Sequence, residues 1–421
     1  MQTVKLYDEN PYETCFEAAV REVSVNEKAG TAAIVLDRTL FFPEEGGQTP
    51  DTGVLAGLPV TDVQIRNGVI IHTVRLAKES PVPREGATVS GTIDWTHRFS
   101  NMQNHTGEHI LSGLLHSLYG YENVGFRLSD NTVTLDTGGQ LDDAQLCDLE
   151  RRANEVIYRN VKVTCEYPPE EVLQKLAYRS KKELSGPVRI VTIDGVDVCA
   201  CCAPHVRRTG EIGLIRIIDV LHTKTNMRLT IVCGSRALEY TQHSFEQLRS
   251  ISRLTNMPKE RAADGVQRLL DEIAQQKETL RNLENAYIDK VVAASAGAGT
   301  PAPAAVPAGN SPAGGLSEAP VEDSTGKRDL WLFENALSTV SLRNLMNRLC
   351  DLSLYRYVGV FTGSEEEGYK YFAGGRGADA RLVSNTLKEL PGGRGGGKPE
   401  MVQGSVKAGK NAILAALRGI A

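Results

Sequence analysis

The sequence predicts an α+β protein of several domains, and three observations predict it. Residues 1 to about 95 hold short apolar runs between turn signals, as strands do. From about 96 to 236 helical and strand-like patterns alternate. Residues 294 to 326 are mostly Ala, Gly, Pro and Ser, with acids near the end, and divide a last unit from the rest.

The 421 residues allow two or three domains, each large enough to bury a core. A hydrophobic fraction of 41% and a charged fraction of 24% fit an ordinary soluble protein. A net charge of -5 argues against a general polyanion binder, so any RNA contact is expected at a local basic patch. No apolar run approaches the roughly 18 residues of a membrane span. The start, Met1 to Leu6, does not read as a signal peptide. Eight cysteines in so long a chain are not a disulfide framework; three of them crowd at Cys199, Cys201 and Cys202, which fits a reducing cytosol and a metal site. The expected location is cytoplasmic.

In the first region, Thr31 to Leu36 is a short apolar strand. Val63-Gln64-Ile65 and Val69-Ile70-Ile71 flank Asn67-Gly68, a strong hairpin signal. Gly46-Gly47 marks a turn or a close-approach loop. In the second region, Ile110, Leu111, Leu114, Leu115 and Leu118 recur at helical spacing, which predicts a helix with one core face and places the histidines before them near its start. A helix is expected over 143–158 and strands over 188–193, 212–220 and 229–232. Residues 237–293 read as a helical arm, with Val266, Leu269, Ile273, Leu280, Leu283 and Tyr287 at 3-4 spacing; a coiled coil and a helix lying on its own domain both fit. A flexible linker over 294–327 follows from composition. Residues 328–421 form a separate unit with a buried strand at Tyr357 to Phe361 and a closing helix at Ala408 to Ile420.

The chemistry concentrates in two segments. His105 and His109 stand four apart, on one face of a helix. Cys201 and His205 repeat the spacing about ninety residues later. One pair alone is weak, because surface helices carry such histidines by chance, and satisfied core histidines are the bland alternative. Two pairs make a nitrogen-and-sulfur set of four that suits zinc. Cys199 and Cys202 are rival ligands.

These segments also resemble a known family. Asn104 to Gly113 and Asp197 to Gly213 are similar to the editing domain of alanyl-tRNA synthetase, and most of all to its free-standing relatives, the AlaX trans-editing proteins. Thr39 to Gln48 resembles that family's Gly-Gly-Gln loop. Gly392 to Gly404 resembles the glycine-rich part of the DHH-associated C-terminal domain, and the matches occur in the family's order. The resemblance implies a small β-barrel over 1–95, an editing core with the zinc site over 96–236 and an α/β C-terminal domain. It selects Cys201 among the cysteines. It implies hydrolysis of serine, and by extension glycine, wrongly esterified to alanine tRNA. Gln48 is then a candidate catalytic residue, with Thr39, Gly46 and Gly47 as substrate contacts and Thr39 reading the substrate hydroxyl. Arg394 and Lys398 become candidate tRNA contacts, and a homodimer through the arm or the C-terminal domain is a further expectation. Ala203-Pro204 stands where Gly-Thr is common, and Glu108 where a smaller residue is.

Other classes fit less well. The length leaves no room for a class II activation domain before the β-rich region. A DHH phosphoesterase needs an Asp-His-His cluster, and none occurs. A threonyl-tRNA synthetase-like editor shares the metal motifs but not the glycine-rich C-terminal unit. A zinc-stabilised tRNA-binding protein without hydrolytic activity is the non-enzyme alternative.

Overall fold

The structure is a computed structural model that describes residues 2–76, 81–180, 187–297, 328–335 and 337–420. It is mixed α+β, in two compact units, Met1–Ser250 and Ile251–Ala421. No helix among the described residues is long and apolar enough to cross a membrane.

Six strands near the start of the first unit form one sheet: β1 (Cys15–Asn26), β2 (Thr31–Leu36), β3 (Gly53–Leu55), β4 (Leu58–Arg66), β5 (Val69–Arg75) and β6 (Thr88–Ile93). They pair antiparallel in the order β1-β2-β5-β4-β3-β6, and β6 pairs back to β1, so the sheet closes on itself. In β2 every second side chain, Ala32, Ile34 and Leu36, is buried, the period-two pattern of a half-buried strand. Asn67 and Gly68 both take positive φ and turn β4 into β5. Tyr7, Phe41 and Phe42 join these strands in one core.

Helix α1 (Trp95–Tyr119) follows. Asp94 caps it by accepting from the His97 backbone N–H, and Gly120, in the left-handed region, ends it. The expected position of the histidines is corrected here. His105 and His109 lie in the middle of a 25-residue helix, not near its start. The preceding turns are buried but polar, with Arg98, Ser100, Asn101, Gln103 and Asn104 inside, so apolar periodicity does not register them.

Next come β7 (Asn123–Leu128), β8 (Val133–Thr137), α2 (Asp143–Arg159), β9 (Val163–Glu166), β10 (Ile190–Ile193), β11 (Asp197–Ala200), β12 (Ile215–His222) and β13 (Met227–Cys233). They form a four-stranded sheet, β12-β13-β8-β7, and a three-stranded one, β9-β10-β11. Ile110, Leu111 and Leu115 of α1 pack with Leu149, Ala153 and Val156 of α2 and with Leu229 and Ile231 of β13. Arg98 ties α1 to the closed sheet. It is fully buried, donates from Nε to both oxygens of Asp51 at 3.0 and 3.1 Å, and donates from Nη2 to the Leu40 carbonyl at 2.6 Å.

The arm is two helices rather than one. α3 (Ser235–Thr255) and α4 (Ala262–Gly297) are separated by Asn256, at positive φ, and by Pro258, which lacks the N–H a continuing helix needs. Residues 294–297, expected to start the linker, belong to α4; the rest of that expected segment, residues 298–327, lies outside the described residues.

In the second unit α4 is followed by β14 (Arg328–Phe333), α5 (Thr339–Asp351), β15 (Tyr355–Ser364), β16 (Gly368–Gly374), α6 (Arg381–Lys388), β17 (Arg394–Lys398), β18 (Met401–Val406) and α7 (Lys410–Leu417). The sheet order is β14-β15-β16-β18-β17, parallel only at β14-β15. Ile288 of α4 is buried against Leu330, Leu342, Leu345 and Val358. Part of the glycine-rich segment, Arg394–Lys398, is the edge strand β17. A Cβ on Gly395 would stand 2.2 Å from the Tyr371 hydroxyl, so glycine lets this strand lie over that side chain.

Candidate metal centre

The centre is built from the middle of α1 and from the segment after β11. His105, His109, Cys201 and His205 each offer a ligand atom, and these atoms lie within 4.8 Å of one another. Cys201 Sγ is 3.5 Å from His105 Nε2 and 3.4 Å from His205 Nε2. All three histidines are buried.

Each imidazole is held by its other nitrogen. His105 Nδ1 donates to Gln48 Oε1 at 2.7 Å, and His109 Nδ1 donates to Asp197 Oδ2 at 2.9 Å. The Thr106 hydroxyl donates to the Met102 carbonyl at 2.7 Å, so its oxygen accepts from His205 Nδ1 at 3.0 Å. As neutral imidazoles, all three rings are therefore held in the tautomer that leaves Nε2 free to bind a metal. Behind His109, Arg179 holds both oxygens of Asp197, at 2.8 and 2.9 Å. Behind Cys201, Arg189 donates to the carbonyls of Cys201 and Ala203 at 3.1 and 2.7 Å.

The electrostatics separate the two adjacent cysteines. Burial opposes a charge on Cys201, but the imidazoles of His105 and His205 hold its thiol well below the usual range. Burial, with the neighbouring Cys201 charge, pushes the Cys202 thiol up. Cys201 is thus the thiolate and the better ligand. Burial drives His205 down to about 3, which keeps it neutral. Burial acts the same way on His109, but the Asp197 carboxylate raises it well above the ordinary value. A second set, His109, Asp197 and Cys199, is equally compact. It shares His109 with the first, and its Asp197 is already committed to Arg179 and to His109 Nδ1.

A cavity of about 640 Å³ opens onto the centre, and His105, His109 and Cys201 line it. Its wall includes Gly46 and Gly47, both at positive φ, in a turn closed by the Gln48 N–H to the Glu45 carbonyl. A Cβ on Gly47 would lie 2.6 Å from the Phe126 carbonyl, so this turn needs glycine twice over.

Of the residues singled out in the sequence, the four candidate metal ligands come together. Gly46 and Gly47 line the cavity. Gln48 is fully buried behind His105 and is not among the lining residues. Thr39 is not brought there either. It is fully buried, bonded to His72 Nε2 at 2.9 Å and to the Phe41 N–H at 3.0 Å. Arg394 and Lys398 are exposed on β17, in the second unit. Sequence reading missed Thr106, Asp197, Arg179 and Arg189; no spacing marks them, because each acts through a partner distant in sequence.

Two family descriptions match the chain. "tRNA synthetases class II (A)" covers residues 3–97, and "Threonyl and Alanyl tRNA synthetase second additional domain" covers residues 188–235. Among curated proteins, the alanyl-tRNA editing protein AlaX-L of Pyrococcus horikoshii is 34% identical over 242 residues, 56% of this chain and 59% of the relative. An alanine–tRNA ligase of Pyrococcus abyssi is 33% identical over 297 residues, 67% of this chain and 31% of the relative. An alanyl-tRNA editing protein of Danio rerio is 30% identical over 249 residues, 58% of this chain and 59% of the relative. The chain spans less than two thirds of the length of each. By these matches, as by its motifs, the chain is similar to the AlaX-type alanyl-tRNA editing proteins.

Proposed function

We propose that the chain is an aminoacyl-tRNA hydrolase that removes serine from wrongly charged alanine tRNA in trans, with glycine as a second substrate and zinc as its metal. The observation that carries this is the set of three fixed Nε2 atoms and one thiolate, of which His105, His109 and Cys201 line a cavity of about 640 Å³. The donor distances support zinc. A tetrahedral ion with Zn–N near 2.0 Å and Zn–S near 2.3 Å separates nitrogen from sulfur by roughly 3.5 Å. The two observed separations are 3.4 and 3.5 Å. When bound, zinc would supply a Lewis acid and a point on which the aminoacyl end is oriented.

The chain's own residues do the rest. Gln48 acts through His105 as a positioning residue. Thr39 acts at one remove: His72 Nδ1 donates to the Ile34 carbonyl, so its Nε2 accepts the Thr39 proton. That pins the start of the segment carrying the Gly46-Gly47 turn. Serine is the expected error because a pocket sized for alanine rejects an added hydroxyl poorly.

The test is deacylation of Ser-, Gly- and Ala-tRNA(Ala) by the full-length, metal-loaded protein. Serine should be released fastest and alanine slowest. Four protein donors more often make a structural site, which favours the rival reading of a tRNA-binding protein without activity. Binding of tRNA with no release of any amino acid would establish that rival.

Two further proposals concern partners in the cytoplasm. Arg394 and Lys398 contact the tRNA backbone, so replacing both by Ala should reduce the salt slope of binding by about two. Val266, Leu269, Ile273, Leu280 and Leu283 are exposed along α4 and suit self-pairing into a homodimer. Leu280→Glu with Leu283→Glu should then sediment as a monomer, and an unchanged mass would remove α4 from the interface.

A further inference from the structure

Glu45 lines the same cavity as His105, His109 and Cys201. It sits where the chain enters the Gly46-Gly47 turn, opposite Gln48 in an antiparallel bridge. The turn lies against the metal-binding segment, since a Cβ on Gly46 would be 3.4 Å from Cys202 Sγ. One carboxylate oxygen, Oε2, is buried and has no hydrogen-bond partner among the described residues, although the side chain as a whole is 35% exposed. Its nearest cation, Lys5 Nζ, is 3.9 Å away, beyond hydrogen-bond reach.

A buried carboxylate oxygen without a partner is costly, and it is more costly still in a cavity that receives the end of a polyanion. Such a group is explained if the ligand brings its own cation. An aminoacyl ester of RNA has one, the α-ammonium beside the ester carbonyl. We propose that Glu45 is the specificity residue that binds this α-ammonium, so that the site accepts aminoacyl esters with a free amine and rejects N-acylated ones, such as peptidyl esters. An ammonium can donate up to three hydrogen bonds, and a charge-assisted one to Oε2 satisfies the group that the fold leaves open. Acylation removes the charge and leaves the carboxylate unpaired. Lys5 competes weakly for the same oxygen and offsets its charge when no ligand is bound. This inference deepens the hydrolase proposal and depends on it.

Binding tests it without turnover. The probes are the amide analogue of 3′-seryl adenosine, in which NH replaces the ester oxygen, and its N-acetyl form. Both are titrated calorimetrically into the full-length, metal-loaded chain. The native protein should bind the free-amine form at least about tenfold tighter. Glu45→Gln should bind the two forms about equally, at unchanged metal content. Lys5→Met should keep or widen the native preference, because it removes the competitor. A native preference surviving in Glu45→Gln overturns the assignment. So does loss of the preference in Lys5→Met to the same extent as in Glu45→Gln, which would mark a simple ion pair. If the native chain binds neither form, the hydrolase proposal fails, and the role of Glu45 with it.

Discussion

The Thr106 hydroxyl gives its proton to the Met102 carbonyl one helical turn back and takes one from His205 Nδ1 at 3.0 Å. A residue between the two candidate ligands of the helix thus sets the tautomer of a third candidate 99 positions along the chain.

Replacing Thr106 tests that link. Thr106→Val keeps the shape and removes the acceptor, so metal affinity should fall roughly 10- to 100-fold. Thr106→Ser should retain most of it. Competition with a chromogenic chelator measures both, and equal affinities in Val, Ser and native proteins would show that His205 needs no such partner.

The two adjacent cysteines should behave differently. Cys201→Ala should lose the metal, while Cys202→Ala should retain about one ion per chain by elemental analysis. The contrast follows from a thiol held down by two imidazoles beside one raised by burial and by that neighbour's charge. Equal loss in both variants would reject the ligand assignment.

His72 should make the first unit acid-sensitive. Burial lowers its pKa from 6.5 to about 4. The unfolded chain therefore binds the proton first, and its contribution to stability is present above pH 6.5 and is lost as pH falls toward 4. The loss over that window is on the order of 3 kcal/mol. Denaturant titrations at several pH values should show it, and His72 should titrate below pH 5 by NMR. A normal titration near 6.5 would contradict the buried, neutral ring.

Arg98→Met should destabilise the first unit by about 3–5 kcal/mol, because it leaves Asp51 buried and uncompensated. Urea unfolding measures this. Arg98→Met combined with Asp51→Asn should recover part of the loss. No recovery would mean that the carbonyl contacts of Arg98, not the charge pair, hold the helix.

The candidate metal ligands were legible because two pairs with a spacing of four residues rarely coincide by chance; helix geometry gives His105 and His109 a shared face, whereas Cys201 and His205 lie in the irregular segment after β11. The polar half of α1 was not legible: Arg98, Gln103 and Asn104 are buried by partners far away in sequence, which no local period encodes. Thr39 read as a pocket residue because motif resemblance carries residue order but not side-chain direction. The Arg394–Lys398 strand was hidden by composition. Glycine disfavours strands on its own, and only the Tyr371 side chain beneath Gly395 explains why it is tolerated there.

The segment Gln48–Asp51 runs beside α1 and touches it at both ends, Gln48 at His105 and Asp51 at Arg98. Three extended residues reach roughly 10 Å, and seven helical residues rise about the same distance over nearly two whole turns. The two stretches act as matched rulers. Inserting one residue between Arg98 and His105 would swing the imidazole pair by roughly 100° relative to the guanidinium, so one of the two anchorages would have to let go. This interval of α1 should therefore accept substitutions far more readily than any change of length.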